Sequence, residues 1–291
     1  MHKAGENFAL PYAEGLRCKL NSKLPLFFLL QSGVKSQIYK REVFMKKNRW
    51  FAVISAMVMA LAVAGCSDGS SGIGNSEVYY SKYQVGDFVL KDGTILSKDS
   101  TPEGGTVAAV IVRAAADGKP ALGVGIVHNQ SGLSWCTKSA EGHSIEITSL
   151  TETGNFRYKD GSDGWEKLKA ACPDAESNPE NYPAWNYSLT YAKNNCLTGD
   201  LATGWYLPTL AELETICENK TAIDESLSKA GGSTFGTSGY WSCIQHSDEK
   251  QKHYAYLHVF KKDLLFGTEG YSLGCPKSDN SNSVCSVRAF Y

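Results

Sequence analysis

An α+β fold is expected for residues 84–291, and three features of the sequence lead to it. Turn residues and β-branched runs alternate from Gln84 to Thr137. Apolar residues at helical spacing, each set preceded by a capping signal, occupy the middle of the chain. Short apolar stretches between polar loops return from Tyr240 to Tyr291. Strands, then helices, then strands describe segregated elements rather than an alternating βαβ repeat.

Asp87–Leu90 and Thr94–Leu96 flank Lys91-Asp92-Gly93, and an Asp-Gly turn there closes a hairpin. Thr106 to Val112 is a β-branched run suited to a buried strand. Asp117-Gly118-Lys119-Pro120 is a turn, Ala121 to Val127 the next strand, and Leu133 to Thr137 another. Asp163 with Glu166 forms a capping box ahead of Leu168, Ala170 and Ala171, and Pro173 ends that helix. A short helix follows around Tyr187 to Cys196. Thr209 with Glu212 is a second capping box, after which Leu210, Leu213, Ile216 and Cys217 recur at helical spacing. Thr221 with Asp224 opens a further helix through Ile223 and Leu227, which Gly231-Gly232 stops.

The chain upstream reads as an address. Lys46, Lys47 and Arg49 follow Met45 and precede sixteen uncharged residues, Trp50 to Gly65. A basic start, an apolar centre and small residues at the end make a secretory signal. The run is shorter than the ~20 apolar residues that span a bilayer as a helix. Its ending, Leu61-Ala62-Val63-Ala64-Gly65-Cys66, resembles the lipobox of bacterial lipoproteins. That resemblance implies cleavage before Cys66 and a lipid on it, with the protein anchored in the outer membrane and exposed at the cell surface. Residues 1–44 are then a non-native extension upstream of the true start, 45–65 the signal peptide, 66–83 a flexible polar tether and 84–291 the domain.

Charge narrows the partners. Residues 1–65 hold ten of the 29 basic residues but three of the 30 acidic ones, which leaves 19 basic and 27 acidic residues and a net charge of about −8 on 66–291. Such a domain is a poor match for nucleic acid or an anionic membrane. Beyond Cys66 stand Cys136, Cys172, Cys196, Cys217, Cys243, Cys275 and Cys285. This odd set leaves at least one thiol free or bonded to another chain. There is no C-x-x-C, so neither a zinc ribbon nor a thioredoxin-like motif is supported.

Local enzyme motifs fail. Gly123-Val124-Gly125-Ile126-Val127-His128 lacks the third glycine of a dinucleotide loop and reads as a strand with small residues. Gly236-Thr237-Ser238-Gly239-Tyr240 lacks the last glycine of a nucleophile elbow. His253 and His258 are five apart in a strand, so they point to opposite faces and do not chelate one metal as a local pair. The sequence leans away from an enzyme and offers no catalytic, metal-binding or cofactor-binding set.

The most specific segment is Gly204-Trp205-Tyr206-Leu207-Pro208-Thr209-Leu210-Ala211-Glu212-Leu213, followed by Tyr240-Trp241-Ser242 and Val287-Arg288-Ala289. G-W-x-L-P-T-x-x-E-L, Y-W-S and V-R-A together resemble a bacterial exported family with the C-type-lectin fold, the fold of formylglycine-generating enzyme. Asp160–Trp165 and Tyr182–Tyr187 fit the same group. With the lipobox, the chain resembles the spirochaete variable lipoproteins diversified by retroelements. That resemblance implies a surface receptor that contacts an extracellular protein or glycan through its C-terminal segment, at positions with AAY codons. The residues it nominates are Cys243, His246, Asp248, Tyr254, Tyr256, His258, Phe266 and Tyr271. Glu249, Lys250, Gln251, Lys252, Lys261 and Lys262 lie outside the set such codons reach, so a fixed paralogue on the same scaffold is the competing reading.

Tyr254, Tyr256 and His258 would share one face of a strand, and Ala255, Leu257 and Val259 the other. Tyrosine suits a contact surface because it joins an apolar ring to a hydrogen-bonding tip at low entropic cost. The plain alternative is a solvated sheet face. Trp205, Pro208 and Trp241 read as core. The motifs of calcium-dependent lectins (E-P-N, Q-P-D, W-N-D) are absent, and Cys275 and Cys285 do not match the closely spaced cysteine pair of the formylglycine-generating activity. An envelope enzyme related to sulfatase-modifying proteins and a purely structural envelope lipoprotein stand as alternatives.

Overall fold

The computed structural model describes residues 82–116, 118–151, 160–261 and 270–291. The expected extension 1–44, signal 45–65, acylated Cys66, tether up to residue 81 and candidate Phe266 lie outside the described residues. No helix among the described residues is long and apolar enough to cross a membrane.

The architecture is α+β, with two largely antiparallel sheets and short helices. The first sheet contains β1 (Phe88–Leu90), β2 (Ile95–Leu96), β3 (Val107–Arg113), β4 (Ala121–Gly125), β6 (Trp205–Tyr206) and β11 (Val287–Phe290). Its order is β2-β1-β3-β4-β11-β6. The expected hairpin is present: Val89 pairs with Ile95, Gly93 takes φ 85°, and Thr94 donates its N–H to Asp92 Oδ1 at 2.9 Å. In β3, Val110 and Val112 enter one core, with Leu122 and Val124, while Ala109 and Ile111 enter another, with Ala121. A strand covered on both faces reads as a continuous apolar run, which is what residues 107–112 are.

Six α-helices follow among the described residues: α1 (Gly164–Ala171), α2 (Asp174–Ser177), α3 (Pro183–Leu189), α4 (Tyr191–Asn194), α5 (Leu210–Glu218) and α6 (Lys220–Lys229). α5 and α6 lay Leu213, Ile216, Ile223 and Leu227 on the valine face of the first sheet. The Thr209–Glu212 capping box forms as expected. α6 ends in a Schellman motif, with Gly231 N–H on Ser228 O at 3.1 Å, Gly232 N–H on Leu227 O at 2.8 Å, and Gly231 at φ 69°.

Three local expectations need correction. Asp163 does not cap α1; its carboxylate pairs with Lys167 one turn on. The single helix expected from Tyr187 to Cys196 is two helices, and the first starts at Pro183, whose fixed φ suits a first helical position. The strand expected at 133–137 lies instead at β5 (Asn129–Leu133). Trp135 and Cys136 are buried, but the backbone there bonds to loops: Cys136 N–H to Lys277 O at 3.1 Å and Thr137 N–H to Asn181 O at 2.8 Å.

The second sheet runs β5-β10-β7-β8-β9, with β7 (Gly239–Gln245), β8 (Tyr254–Val259), β9 (Tyr271–Pro276) and β10 (Asn282–Val284). Only the β10–β7 pair is parallel among these described strands. A third core packs against this sheet around Trp135, Trp185 and Trp241, with the first two rings edge to face at 5.3 Å. Trp205, Pro208 and Trp241 are buried, as expected of scaffold residues. The seven cysteines from Cys136 to Cys285 are all unbonded to one another.

Candidate functional site

Strand β8 alternates as its sequence requires. Ala255, Leu257 and Val259 enter the tryptophan core; Tyr254 and Tyr256 alternate with them and are half-buried, and Tyr256 also packs against that core. Register fixes their neighbours, because directly paired residues point the same way. Tyr254 pairs with Pro276, Tyr256 with Gly274 and His258 with Ser272. Gly274 leaves its place on that face without a side chain. A Cβ there would lie 3.5 Å from His246 Cδ2 and 3.8 Å from Tyr254 Cδ1. His246 stacks on Tyr256 with centroids 5.1 Å apart and planes 15° apart. Exposed His253 meets Tyr254 edge-on at 4.7 Å. Three rings thus converge over bare backbone at one end of the sheet.

The loop after β7 orients the histidine. Asp248 donates its N–H to His246 Nδ1 at 3.1 Å. Nδ1 is therefore an acceptor, and the neutral ring carries its proton on Nε2. Asp248 turns its own Oδ1 to Lys250 N–H at 2.9 Å and stays exposed.

Four of the nominated residues, His246, Asp248, Tyr254 and Tyr256, are brought together. The others are not. His258 is 4% exposed: Phe260 meets its ring edge-on at 5.4 Å, and Ser272 Oγ lies 3.0 Å from its Nδ1. Cys243 has no exposed surface, donates its N–H to Pro208 O at 2.8 Å, and has its thiol pushed far up by burial. It is a core residue and touches no surface ligand. Tyr271 pairs with Val259, so it belongs to the opposite face of the sheet. His253 was weighed in the sequence only as a metal-ligand partner of His258, and Gly274 was not singled out; a glycine flanked by Leu273 and Cys275 carries no signal until its register is known.

A second polar group lies inside the domain. Lys277 is fully buried, and its Nζ donates to Gly142 O at 2.5 Å, Gln245 Oε1 at 3.0 Å and Ile145 O at 3.3 Å, 5.0 Å from the Trp135 ring centroid. Burial pulls its pKa down to about 8. Burial pushes the Cys136 and Cys172 thiols up to about 12 and about 11, so neither is a ready nucleophile at neutral pH. The group is a clamp between the 142–145 loop and β7. Its lysine gave no sequence signal.

No family model matches the chain, and no curated protein matches it. Among solved structures, a fimbrial protein from Bacteroides ovatus has a similar fold, with a TM-score of 0.55 and 14% identity over 72% of this chain and 49% of that one. The chain thus spans about half the length of that protein. A likeness at this identity concerns the fold alone.

Proposed function

We propose that this chain is an exported, lipid-anchored binding protein of the cell surface, built on a C-type-lectin-type scaffold. It holds an extracellular protein or glycan on the face made by His246, Tyr254 and Tyr256. The observation that carries this reading is the convergence of those rings over Gly274, with His246 stacked on Tyr256 at 5.1 Å. Aromatic rings that join an apolar face to a polar group, beside a strand position without a side chain at Gly274, suit a contact surface. Gly123 and Gly125 also fit a binding protein better than a dinucleotide enzyme: a Cβ on Gly123 would sit 2.6 Å from Phe290 Cε2, and one on Gly125 would enter the Tyr191 ring. Both glycines are packing positions. A fold shared with a fimbrial protein is in keeping with a surface role.

The test is a screen of the full chain against a glycan array and a panel of extracellular-matrix proteins, repeated with His246, Tyr254 and Tyr256 all changed to alanine. A bound array member should be lost in the triple variant. Unchanged binding by the triple variant would remove this face from consideration.

A further inference from the structure

A second candidate site, independent of the aromatic face, lies where the β3–β4 hairpin meets α5. A cavity of about 610 Å³ is lined there by Arg113, Lys119, Asp160, Asp163, Glu212 and Thr215. That volume is in the range of small-molecule sites, roughly 300–1,000 Å³.

Arg113 donates from Nη2 to Pro120 O at 3.3 Å, while its Nε–H is buried with no hydrogen-bond partner. A buried donor without an acceptor is costly, and in native proteins it usually meets water or a ligand. Among the described residues, no ion pair joins Arg113 or Lys119 to a carboxylate; Asp163 is taken by Lys167. Glu212 is held rigidly, accepting from Tyr206 Oη at 2.7 Å and Thr209 N–H at 2.9 Å. Asp160 is exposed and accepts from Ser162 N–H at 3.1 Å. The cavity therefore sets the Arg113 and Lys119 cations beside the exposed Asp160 carboxylate, with no ion pair between them among the described residues.

That mixture selects by charge. A simple anion would meet the Asp160 carboxylate. A simple cation would meet Arg113 and Lys119, and no three His, Cys, Asp or Glu side chains converge among the described residues to hold a metal. A molecule bearing both charges satisfies both sets. We propose that this cavity binds a small zwitterion of the α-amino-acid class, a free amino acid or dipeptide. Its carboxylate lies on the Arg113 guanidinium, which suits planar two-point recognition, and its ammonium group faces Asp160.

Calorimetric titration of the full chain with the twenty amino acids and glycylglycine tests this. At least one should bind saturably. Its affinity should fall at least tenfold in Arg113→Gln and again in Asp160→Asn, and its N-acetylated and C-amidated forms should not bind. Asp160 is exposed, so Asp160→Asn keeps the test open if Arg113→Gln does not fold. No binding by any member overturns the proposal. Sulfate binding that needs Arg113 but not Asp160, without amino-acid binding, overturns it in favour of a plain anion site. Equal binding of the capped ligands also overturns it.

Discussion

Lys277 Nζ lies 3.0 Å from Gln245 Oε1, with both side chains fully buried and no carboxylate beside the lysine among its hydrogen-bond partners. The same Gln245 side chain accepts from Ile147 N–H at 3.2 Å and donates to Ile145 O at 3.0 Å. One ammonium and one amide thus fasten the 142–147 loop to β7 and to the end of β9. Replacing Lys277 with methionine keeps much of the volume but takes from Gly142 O the donor it has here, worth about 1–3 kcal/mol when unmet, while Gln245 Oε1 keeps Ile147 N–H and Ile145 O keeps Gln245 Nε2. Lys277→Met should lower stability by about 1–3 kcal/mol, read as a denaturation midpoint shift. An unchanged midpoint would mean that the clamp contributes nothing net.

The capping box makes a smaller and more local prediction. Thr209 Oγ1 accepts from Glu212 N–H at 3.3 Å, and Glu212 Oε2 accepts from Thr209 N–H at 2.9 Å. Thr209→Ala removes one half of this exchange and should cost about 1 kcal/mol. Thr209→Ser should restore most of it in the same denaturation assay. Equal losses in both variants would place the effect in the lost methyl packing instead.

Two buried titratable groups should pull stability in opposite directions with pH. Burial lowers the His128 pKa to about 4, and its Nε2 bonds Gly125 O at 3.0 Å. Unfolded, the imidazole takes up a proton from about pH 6.5 downward; folded, it does so only near 4, so this contribution is lost as pH falls through that window. Burial raises the Glu212 carboxyl to about 7. The folded chain keeps that proton while the unfolded chain releases it, so this contribution is lost as pH rises from about 4.5 to 7. The two slopes oppose each other in the wild type. Glu212→Gln should leave stability that falls on acidification, and His128→Gln stability that rises. Matching slopes in the two variants would refute the assignment.

How far the sequence reached depended on the range of each interaction. The β1–β2 hairpin, the buried β3 run and the α5 cap are set within a few residues, and each follows from a turn glycine, a β-branched stretch or a Thr-x-x-Glu pair. The insertion of β11 between β4 and β6, and the parallel β10–β7 pair, join segments far apart in the chain and leave no local mark. The site divides the same way. Alternation along β8 placed Tyr254 and Tyr256 away from Ala255 and Leu257. It failed at His258 because Phe260 packs over that end of the face, and at Tyr271 because the β8–β9 register decides its side. Codon chemistry nominated Cys243 but carries no information about burial.

If the C-terminal segment is diversified in the source organism, that burial pattern sets where variation is tolerated. Changes at exposed Asp248 and half-buried His246 and Tyr254 alter what the surface presents, while a change at Tyr256 also reaches the core it packs against. Changes at Cys243, which is fully buried in the tryptophan core, must overpack it, introduce an unmet polar group or leave a void, at a cost of about 1–3 kcal/mol or more. His258 is held by Ser272 and Phe260 under the same constraint. Deep sequencing of a clonal population should therefore find substitutions gathered at 246, 248, 254 and 256 and depleted at 243 and 258. Variation as frequent at 243 as at 254 would mean that the varying surface is not this one. An invariant segment would leave a fixed adhesin, a structural lipoprotein or a silent retroelement, and the array with the triple alanine variant would tell a binding protein from a structural one.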